Sequence, residues 1–278
     1  MEDQMQIERI AAFAMGDQGG NPAGVVIGDA LPARADMQRI AREVGYSETA
    51  FAARDGDGWQ VRYFAPDAEV PFCGHATIAL GCALGQRFGA GRYDLHLSQA
   101  RISVVAELGA RGWQAVLTSP PTWSKPMPQE FRDALLGHFD LAEADLDPSL
   151  APHLAHGGAT HAVFALPSRE TLAAMDYAFD PVRALMLDAD LTTISLIWRE
   201  SADVFVSRNA FAVGGVVEDP ATGAAAAALG GLLVDLGRGA SSFTIRQGED
   251  MGAPSLIHVT VTGQSGDGVR VAGAARVL

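Results

Sequence analysis

Residues 74–84 read GHATIALGCAL, and residues 223–233 read GAAAAALGGLL, at a constant offset of 149. The two segments agree at the first Gly, two Ala, one Leu, one Gly and the last Leu, and neither contains Asp, Glu, Lys or Arg. A helix without a polar face is a buried helix. The repeat therefore predicts two structurally similar halves, each with a buried helix at its centre. Chance matching among Ala, Gly and Leu is the competing interpretation.

A β-hairpin is predicted ahead of the first segment. Apolar and polar residues alternate over residues 46–64 around the turn sequence DGDG at 55–58, and such alternation around an Asp-Gly turn is typical of a hairpin. Trp59, Val61 and Tyr63 then share one face. Residues 97–100 (LSQA) are echoed by residues 245–248 (IRQG), and β-rich sequence follows each. Each buried helix is therefore expected inside a β-rich shell.

The boundary between the halves is expected in the proline-rich stretch SPPTWSKPMP at residues 119–128. Prolines at 120, 121, 126 and 128 are incompatible with a helix interior or a central strand. We predict an N-terminal domain over residues 1–120, joined by the C-terminal strand 268–278, and a second domain over residues 128–267. The substrate pocket is expected between them.

The charge balance argues against two classes of partner. The chain has 278 residues, with 33 acidic and 20 basic side chains and a net charge of −13. Such a surface repels phosphate backbones and anionic lipids, so neither nucleic acid nor a membrane is expected as a partner. The apolar run 223–234 is shorter than the roughly 18–20 residues of a membrane span. Residues 1–4 read MEDQ, which is acidic where a signal peptide is basic, and this predicts a cytoplasmic location.

The two cysteines are each interpreted alone. Cys73 and Cys82 are nine positions apart, and on one helix that spacing places them on opposite faces, so no disulfide is expected between them. Cys82, within the predicted helix, is assigned to packing. Cys73, at the predicted helix start, is interpreted either as an activated thiol or as an inert buried one.

The starts of the two helices differ. Asp219 and Pro220 precede the second helix and are predicted as its N-cap and its first helical residue. The first helix follows Cys73-Gly74 with no usual capping side chain, which leaves backbone N–H groups for an anion. If both positive helix ends meet at the domain interface, they would stabilise the charge that develops when a proton leaves a carbon atom.

Such chemistry requires a base, and the candidates near these elements are Glu48, Cys73, His75 and Asp219. Each has a non-catalytic alternative. Glu48 would be a solvated strand residue and Cys73 an inert thiol. His75 would make a local hydrogen bond, and Asp219 would be a structural cap. No metal is expected, because the spacing of the three histidines at 153, 156 and 161 fits no helical zinc pair. No cofactor is expected either, since the chain lacks dinucleotide and P-loop fingerprints.

Five motifs in order resemble the PhzF family of phenazine-biosynthesis-like isomerases, which shares the fold of diaminopimelate epimerase and proline racemase. They are GNPAGVV (20–26), SETAF (47–51), FCGHAT (72–77), EDPATG (218–223) and QG followed by MGAPS (247–255). The resemblance covers nearly the whole chain. It implies an α+β (α/β) fold of two pseudo-repeated domains, each a curved β-sheet wrapped around a central buried helix. A homodimer and an active site between the domains are also implied.

The resemblance implies a role for each matched position. Glu48 corresponds to the main proton-transferring acid/base of the family, with His75 and Asp219 assisting it. Further positions are assigned to substrate binding: Asn21, Cys73, Gly74, Thr222 and Gly223. The implied reaction is a proton shift between carbon atoms of a small, carboxylated metabolite, without cofactor or metal.

Departures from the family pattern bear on the substrate. The related racemases use two thiols, and the segment 220–222 lacks the second, so a two-cysteine racemase is excluded. Ala224, Ala226 and Ala253 stand where the resemblance leads us to expect Ser, His and Arg, which favours a smaller or more apolar acid. Two alternatives remain: an epimerase with a Cys73/Asp219 acid–base pair, and a non-catalytic protein that binds a small anion.

Overall fold

The computed structural model describes residues 6–98, 100–110 and 112–278. The chain divides into two compact units: unit 1 is Met1–Thr118 with Ala272–Leu278, and unit 2 is Ser119–Val271. The MEDQ segment used for the location prediction and Gln99 of the LSQA echo lie outside the described residues. The two predicted domains, 1–120 with 268–278 and 128–267, stay a prediction.

The described residues form a mixture of strands and helices. The strands are β1 (Ile7–Ala12), β2 (Asn21–Gly28), β3 (Glu48–Asp55), β4 (Gly58–Phe64), β5 (Glu69–Val70), β6 (Gly91–His96), β7 (Arg101–Gly109), β8 (Gly112–Pro121), β9 (Trp123–Pro126), β10 (His153–His156), β11 (Thr160–Leu166), β12 (Thr193–Arg199), β13 (Val204–Ala210), β14 (Glu218–Asp219), β15 (Ser241–Gln247), β16 (Ser255–Val261) and β17 (Gly268–Val277). The helices are α1 (Arg34–Val44), α2 (Gly74–Phe88), α3 (Gln129–His138), α4 (Arg169–Ala173), α5 (Phe179–Asp188) and α6 (Gly223–Asp235). Short 3₁₀ turns cover Glu143–Asp145, Ala212–Gly214 and Glu249–Met251. No helix in the described part of the chain has the length and apolarity of a membrane span.

In unit 1, strands surround helix α2. The pairings run β1–β2–β3–β4–β6–β7–β8–β17 and return to β1, so the sheet closes on itself. Helix α2 packs against β1, β2, β3, β6 and β7, and every residue from Gly74 to Gly85 is buried. Helix α1 packs through Met37 and Ile40 on a cluster that includes Phe51. The predicted buried helix is confirmed.

The predicted hairpin is also confirmed. Strands β3 and β4 are antiparallel, with Asp55 paired to Gly58 across the two-residue turn. Gly56 has a φ of +60°, a left-handed conformation that glycine adopts at low cost. Trp59, Val61 and Tyr63 are each at most 2% exposed, as the alternation predicts.

In unit 2, helix α6 occupies the corresponding position. The strands pair in the order β9–β10–β11–β12–β13–β15–β16, and α6 packs against β9, β10, β11 and β16. A second apolar cluster includes Leu135 of α3, Leu172 of α4 and Met186 of α5, together with Phe164 and Leu196 of the sheet. Unit 2 therefore has apolar contacts around α6, and a second set between the sheet and helices α3, α4 and α5.

The small residues of the repeat explain how both helices fit inside their strands. Helices α2 and α6 begin at Gly74 and Gly223, which are the first pair of the 149-residue offset. A Cβ on Gly81 would lie 2.6 Å from Cγ2 of Val104, and a Cβ on the matching Gly230 would lie 2.9 Å from Cγ1 of Val269. Larger residues would therefore push strand and helix apart.

The proline-rich stretch contains more strand than predicted. Pro120 and Pro121 are the last residues of β8, and Pro126 is the last residue of β9, where it pairs with His153. The prolines were expected to be incompatible with a helix interior or a central strand, and these three lie at strand ends, where the missing N–H of proline leaves no ladder bond open. Unit 2 begins within this stretch, at Ser119.

The three clustered histidines are structural features of unit 2. His153 and His156 lie on β10 and His161 lies on β11, with residues 157–159 connecting the two strands. His161 is fully buried and its Nδ1 is 2.7 Å from Oγ1 of Thr193. Its Nε2 has no hydrogen-bond partner among the described residues. Desolvation, with a smaller contribution from the charge of His156, lowers the pKa of His161 to about 3.

We expect His161 to make the stability sensitive to acid. Its folded-state pKa is depressed, so below an unfolded-state pKa of about 6.5 the unfolded chain binds a proton that the folded protein does not. The free energy of unfolding should fall as the pH drops from about 6.5 towards 3, by about 1.4 kcal/mol per pH unit from this group. Urea unfolding at a series of pH values should show a shallower slope for His161→Leu than for the wild type. Equal slopes would contradict the prediction; His258→Gln, which changes an exposed histidine of β16, is the matched control.

Candidate active site

Three of the predicted site residues lie together in unit 1, and we call them the Glu48 cluster: Glu48, Cys73 and His75. Nε2 of His75 is 3.4 Å from Oε2 of Glu48, and Nδ1 of the same ring is 3.3 Å from Sγ of Cys73. The imidazole therefore lies between the thiol and the carboxylate and contacts both. Carboxylates, imidazoles and thiols can each transfer a proton to or from a reacting group of a substrate, which is general acid–base catalysis.

Two packed elements position the cluster. Glu48 is the first residue of β3, Cys73 immediately precedes α2, and His75 is the second residue of α2. Helix α2 packs against β3, which places the start of the helix beside the start of the strand. Ser47, one residue before β3, has its Oγ 3.3 Å from Nε2 of His75. Sequence reasoning did not single out Ser47, although it lies in the quoted SETAF motif.

The cluster is largely enclosed. The side chains of His75 and Glu48 are 7% and 14% exposed, and Cys73 is 9% exposed. The alternative of a solvated strand residue therefore does not describe Glu48. Partial burial strengthens electrostatic interactions among these groups relative to bulk water.

The start of α2 has the uncapped form expected from the sequence. Cys73 is its N-cap and makes no side-chain capping hydrogen bond. The backbone carbonyl of Cys73 accepts a hydrogen bond from Oγ1 of Thr77 at 2.7 Å. The phenolic oxygen of Tyr63 lies 2.7 Å from the same Thr77 hydroxyl. Burial raises the pKa of Tyr63 far above its usual range, so its phenol stays protonated. Tyr63 and Thr77 therefore hold the first turn, a role that the sequence did not reveal.

Asn21 lies on the strand next to Glu48. It is the first residue of β2 and is 2% exposed. Two residues later, Ala23 pairs with Glu48 in the parallel register of β2 and β3. Asn21 and Ala23 share a face because side chains alternate along a strand. This places Asn21 in unit 1 near the Glu48 cluster; its role in substrate binding stays a prediction.

In unit 2 the predicted residues also gather, and the Asp219 group is Asp219, Thr222 and Gly223. Asp219 was predicted as the N-cap of α6 with Pro220 as the first helical residue, and this is wrong. Thr222 is the N-cap, and Asp219 lies in β14, where it pairs with Asn209 of β13. Sheet pairing keeps Asp219 extended, three residues before the N-cap Thr222. Its carboxylate accepts a hydrogen bond from the hydroxyl of Thr222.

Gln247 holds the Asp219 group in place. It is 1% exposed, its Nε2 donates to the carbonyl of Asp219 at 2.7 Å, and its Oε1 accepts the backbone N–H of Thr222 at 3.1 Å. The next residue, Gly248, has a φ of +77°, and a Cβ there would lie 2.7 Å from the carbonyl oxygen of Pro220. The QG motif therefore supports the loop that leads into α6. The quoted motif was the sequence signal for this contact, although no role was assigned to it.

Two further polar residues of β13, Arg208 and Asn209, contact or pair with β14. Arg208 forms an ion pair with Glu218, with Nη2 and Oε2 2.6 Å apart and the two side chains 11% and 4% exposed. Asn209 is 1% exposed, and its Oδ1 has no hydrogen-bond partner in the part of the chain that the structure describes. Neither Arg208 nor Asn209 was predicted, because their contacts with β14 arise from strand pairing.

The alanines that depart from the family pattern lie in or near the same unit 2 loops. Ala224 is partly buried as the second residue of α6, Ala226 is 2% exposed, and Ala253 is partly buried after the turn at Glu249–Met251. None of these side chains supplies a hydroxyl, an imidazole or a guanidinium. Unit 2 therefore offers fewer polar side-chain atoms at these positions than the pattern implies.

One group among the described residues has the donor atoms of a metal site. It is the Glu48 cluster, whose three potential ligand atoms lie within 4.8 Å of one another. The histidines of β10 and β11 do not form such a group within the same residues. The expectation that the protein uses no metal stays a prediction.

The sequence matches the family model of the phenazine biosynthesis-like proteins, PhzC-PhzF, over residues 10–278. The chain belongs to this family. The trans-2,3-dihydro-3-hydroxyanthranilate isomerase of Pseudomonas fluorescens is 33% identical over 280 residues, which cover 94% of this chain and 92% of that protein. Together with the family match, this similarity identifies the protein as a PhzF-like isomerase.

Solved structures show the same fold. The crystal structure of the Bacillus anthracis phenazine biosynthesis protein of the PhzF family has a TM-score of 0.87 at 22% identity and covers 99% of this chain and 97% of that chain. A probable proline racemase from Agrobacterium radiobacter K84 has a TM-score of 0.70 at 13% identity and covers 99% of this chain and 91% of that chain. The mixed α/β fold predicted by resemblance is confirmed. The roles of individual residues, the homodimer, the cytoplasmic location and a single pocket shared by the two units stay predictions.

Proposed function

We propose that this PhzF-like isomerase moves a proton between two carbon atoms of a small carboxylic acid, with Glu48 as the acid/base. The observation that carries the proposal is the contact between Glu48 and His75 at 3.4 Å, at the uncapped start of helix α2. A carboxylate that is 14% exposed and has a nitrogen neighbour can exchange protons with a substrate while water is largely kept away.

In the proposed reaction, the carboxylate of Glu48 removes a proton from a carbon next to an unsaturated or carbonyl group. The C–H electron pair moves into the substrate, which becomes an enolate-like anion. The protonated Glu48 then returns the same proton to a different carbon, so the reaction is balanced without an oxidant or a cofactor. His75 keeps Glu48 oriented through its Nε2, and its Nδ1 faces Cys73.

The first turn of α2 supports the anionic stage of this reaction. The first backbone N–H groups of an α-helix have no partner within the helix, and in α2 these include Gly74 and His75, at the positive end of the helix dipole. A substrate carboxylate or enolate oxygen bound there would be stabilised by fixed dipoles that need no reorganisation. We assign Gly74 to this role, and we assign Gly223 at the start of α6 to a similar one in unit 2.

We propose a substrate that is smaller or less polar than that of the Pseudomonas fluorescens isomerase. Ala224, Ala226 and Ala253 offer no side-chain hydrogen bonds to a polar ring. Each lost direct hydrogen bond would weaken binding by about 1–3 kcal/mol. Asp219, held by Thr222 and Gln247, is proposed as the assisting carboxylate.

The proposal is tested by incubating the full-length protein in heavy water with a panel of unsaturated and keto carboxylates. NMR of each compound should show deuterium at one carbon and a shifted double bond for the true substrate. The expected result is label incorporation by the wild type that is greatly reduced in Glu48→Gln. A compound that raises the unfolding temperature without acquiring deuterium would contradict the proposal and favour non-catalytic anion binding.

An epimerase with Cys73 and Asp219 as its acid–base pair is the second candidate. The 3.3 Å contact between Sγ of Cys73 and Nδ1 of His75 favours it, because an imidazole nitrogen can accept a thiol proton. The variant Cys73→Ser distinguishes the isomerase from the epimerase. Cys82→Ser is the matched control, because Cys82 is a buried cysteine within α2. Burial raises the pKa of Cys82 to about 12, so that thiol stays protonated.

The two candidates predict different results for Cys73→Ser. The isomerase with Glu48 as acid/base should keep activity within about ten-fold of the wild type, whereas the epimerase should lose about 10²-fold or more. The product adds a second criterion, since an epimerase inverts one stereocentre and leaves every double bond in place. Loss of activity in Cys73→Ser together with inversion would replace the Glu48 proposal.

A further inference from the structure

The Glu48 cluster combines three different metal-binding atoms in one enclosed place. A thiol sulfur, an imidazole nitrogen and a carboxylate oxygen lie within 4.8 Å of one another. We propose that this cluster binds a divalent transition-metal ion of the Zn²⁺ type. Cys73, His75 and Glu48 would be the three protein ligands, and binding would switch the site off.

The donor atoms select the class of ion. Sulfur and imidazole ligands suit Zn²⁺ and its neighbours, whereas Mg²⁺ and Ca²⁺ require mainly oxygen ligands. Two anionic ligands, a thiolate and a carboxylate, would neutralise the charge of one divalent ion. The side chains of His75 and Glu48 are 7% and 14% exposed, so a bound ion would be shielded from most of the solvent.

The distances are close to those that a metal requires. Zn–S bonds of about 2.3 Å and Zn–N or Zn–O bonds of about 2.0–2.2 Å place neighbouring ligand atoms roughly 3.3–3.7 Å apart in a tetrahedral site. The contacts of 3.3 Å from Cys73 to Nδ1 and of 3.4 Å from Glu48 to Nε2 match this spacing. The Cys73 contact uses Nδ1 of His75 and the Glu48 contact uses Nε2. An imidazole ring binds one metal ion through only one of its nitrogens. Ligation therefore requires one of these two contacts to rearrange.

The backbone favours that rearrangement on the Glu48 side. Cys73 and His75 are separated by one residue at the start of α2, where hydrogen bonds from Thr77 hold the turn. Glu48 is the first residue of β3, and rotation about its side-chain bonds can move the carboxylate without moving the backbone. Three protein ligands then leave a fourth position for water or a small anion, as in zinc sites with an open position.

Metal binding would compete with the proposed reaction. A carboxylate oxygen bound to a metal ion cannot remove a proton from a substrate, so the ion would act as an inhibitor that is released by a chelator. This consequence rests on the proposed function of Glu48, whereas metal binding itself does not. Ligands must be deprotonated before they bind, so uptake of the ion should release protons.

Co²⁺ provides a direct spectroscopic test on the chelator-treated full-length protein. The expected result is a near-ultraviolet thiolate-to-cobalt charge-transfer band and strong visible bands of tetrahedral Co²⁺, both abolished by Zn²⁺. Cys73→Ala should lose the charge-transfer band, and Glu48→Gln and His75→Asn should each lower the affinity by about ten-fold or more. Cys82→Ala is the matched control and should keep the full spectrum.

A wild-type spectrum without a thiolate band would overturn the proposal, and so would a band that survives in Cys73→Ala. Circular dichroism of each variant verifies folding, and carboxymethylation of the wild-type thiol tests the same ligand without a substitution. Deuterium incorporation, measured with and without Zn²⁺, separates the two proposals. Cobalt binding with unchanged activity in Glu48→Gln would refute the proposed catalytic role and retain the metal site.

Discussion

Replacement of Glu48 by Gln is expected to lower turnover by about 10²–10⁴-fold, the range for loss of a general acid–base group. Gln has nearly the same shape and can still contact Nε2 of His75, so the packing of β3 against α2 should persist. It cannot accept and return a proton at neutral pH. The measurement is the rate of deuterium incorporation into the substrate identified in the heavy-water panel, followed by NMR.

Glu43→Gln is the matched control for this variant. Glu43 is also in unit 1, but its side chain is 59% exposed and pairs with Arg39 on the surface of α1. A solvent-exposed surface ion pair of this kind contributes little to stability, so activity and stability should stay near those of the wild type. A Glu48→Gln protein with an unchanged unfolding midpoint and undiminished label incorporation would exclude Glu48 as the acid/base.

Replacement of Arg208 by Met is expected to lower the free energy of unfolding by about 3–5 kcal/mol. Arg208 donates to both carboxylate oxygens of Glu218 and to the backbone carbonyl of Ala173. The Glu218 side chain is 4% exposed, so the variant leaves a buried negative charge without its partner. Urea unfolding followed by circular dichroism measures the loss.

The double variant Arg208→Met/Glu218→Gln should recover part of the free energy of unfolding that Arg208→Met loses. The added substitution removes the uncompensated negative charge of Glu218. Arg169→Met is the matched control: its side chain is 26% exposed and pairs with Asp250 at 2.8 Å, and we expect a cost of about 1 kcal/mol or less. If Arg208→Met were no more destabilising than Arg169→Met, the buried ion pair with Glu218 would contribute no more to the free energy of unfolding than a more exposed one.

Much of the site could be anticipated because its residues occur in short motifs. SETAF contains Glu48, FCGHAT contains Cys73 and His75, and EDPATG contains Asp219 and Thr222. The role of Asp219 in local structure could not be anticipated. Asp followed by Pro is a good helix-start pattern in isolation, but pairing with Asn209 holds Asp219 in a strand.

The amino-acid sequence alone determined the two buried helices, the hairpin and the family, because these depend on periodicity and on motifs of a few adjacent residues. Tertiary structure decided which side chains meet. The imidazole of His75 joins Cys73 to Glu48 across 27 residues, Gln247 holds Asp219 across 28, and Arg208 neutralises Glu218. Such contacts follow from strand register and from how closely a small-residue helix approaches its sheet, and neither is encoded in any single local segment.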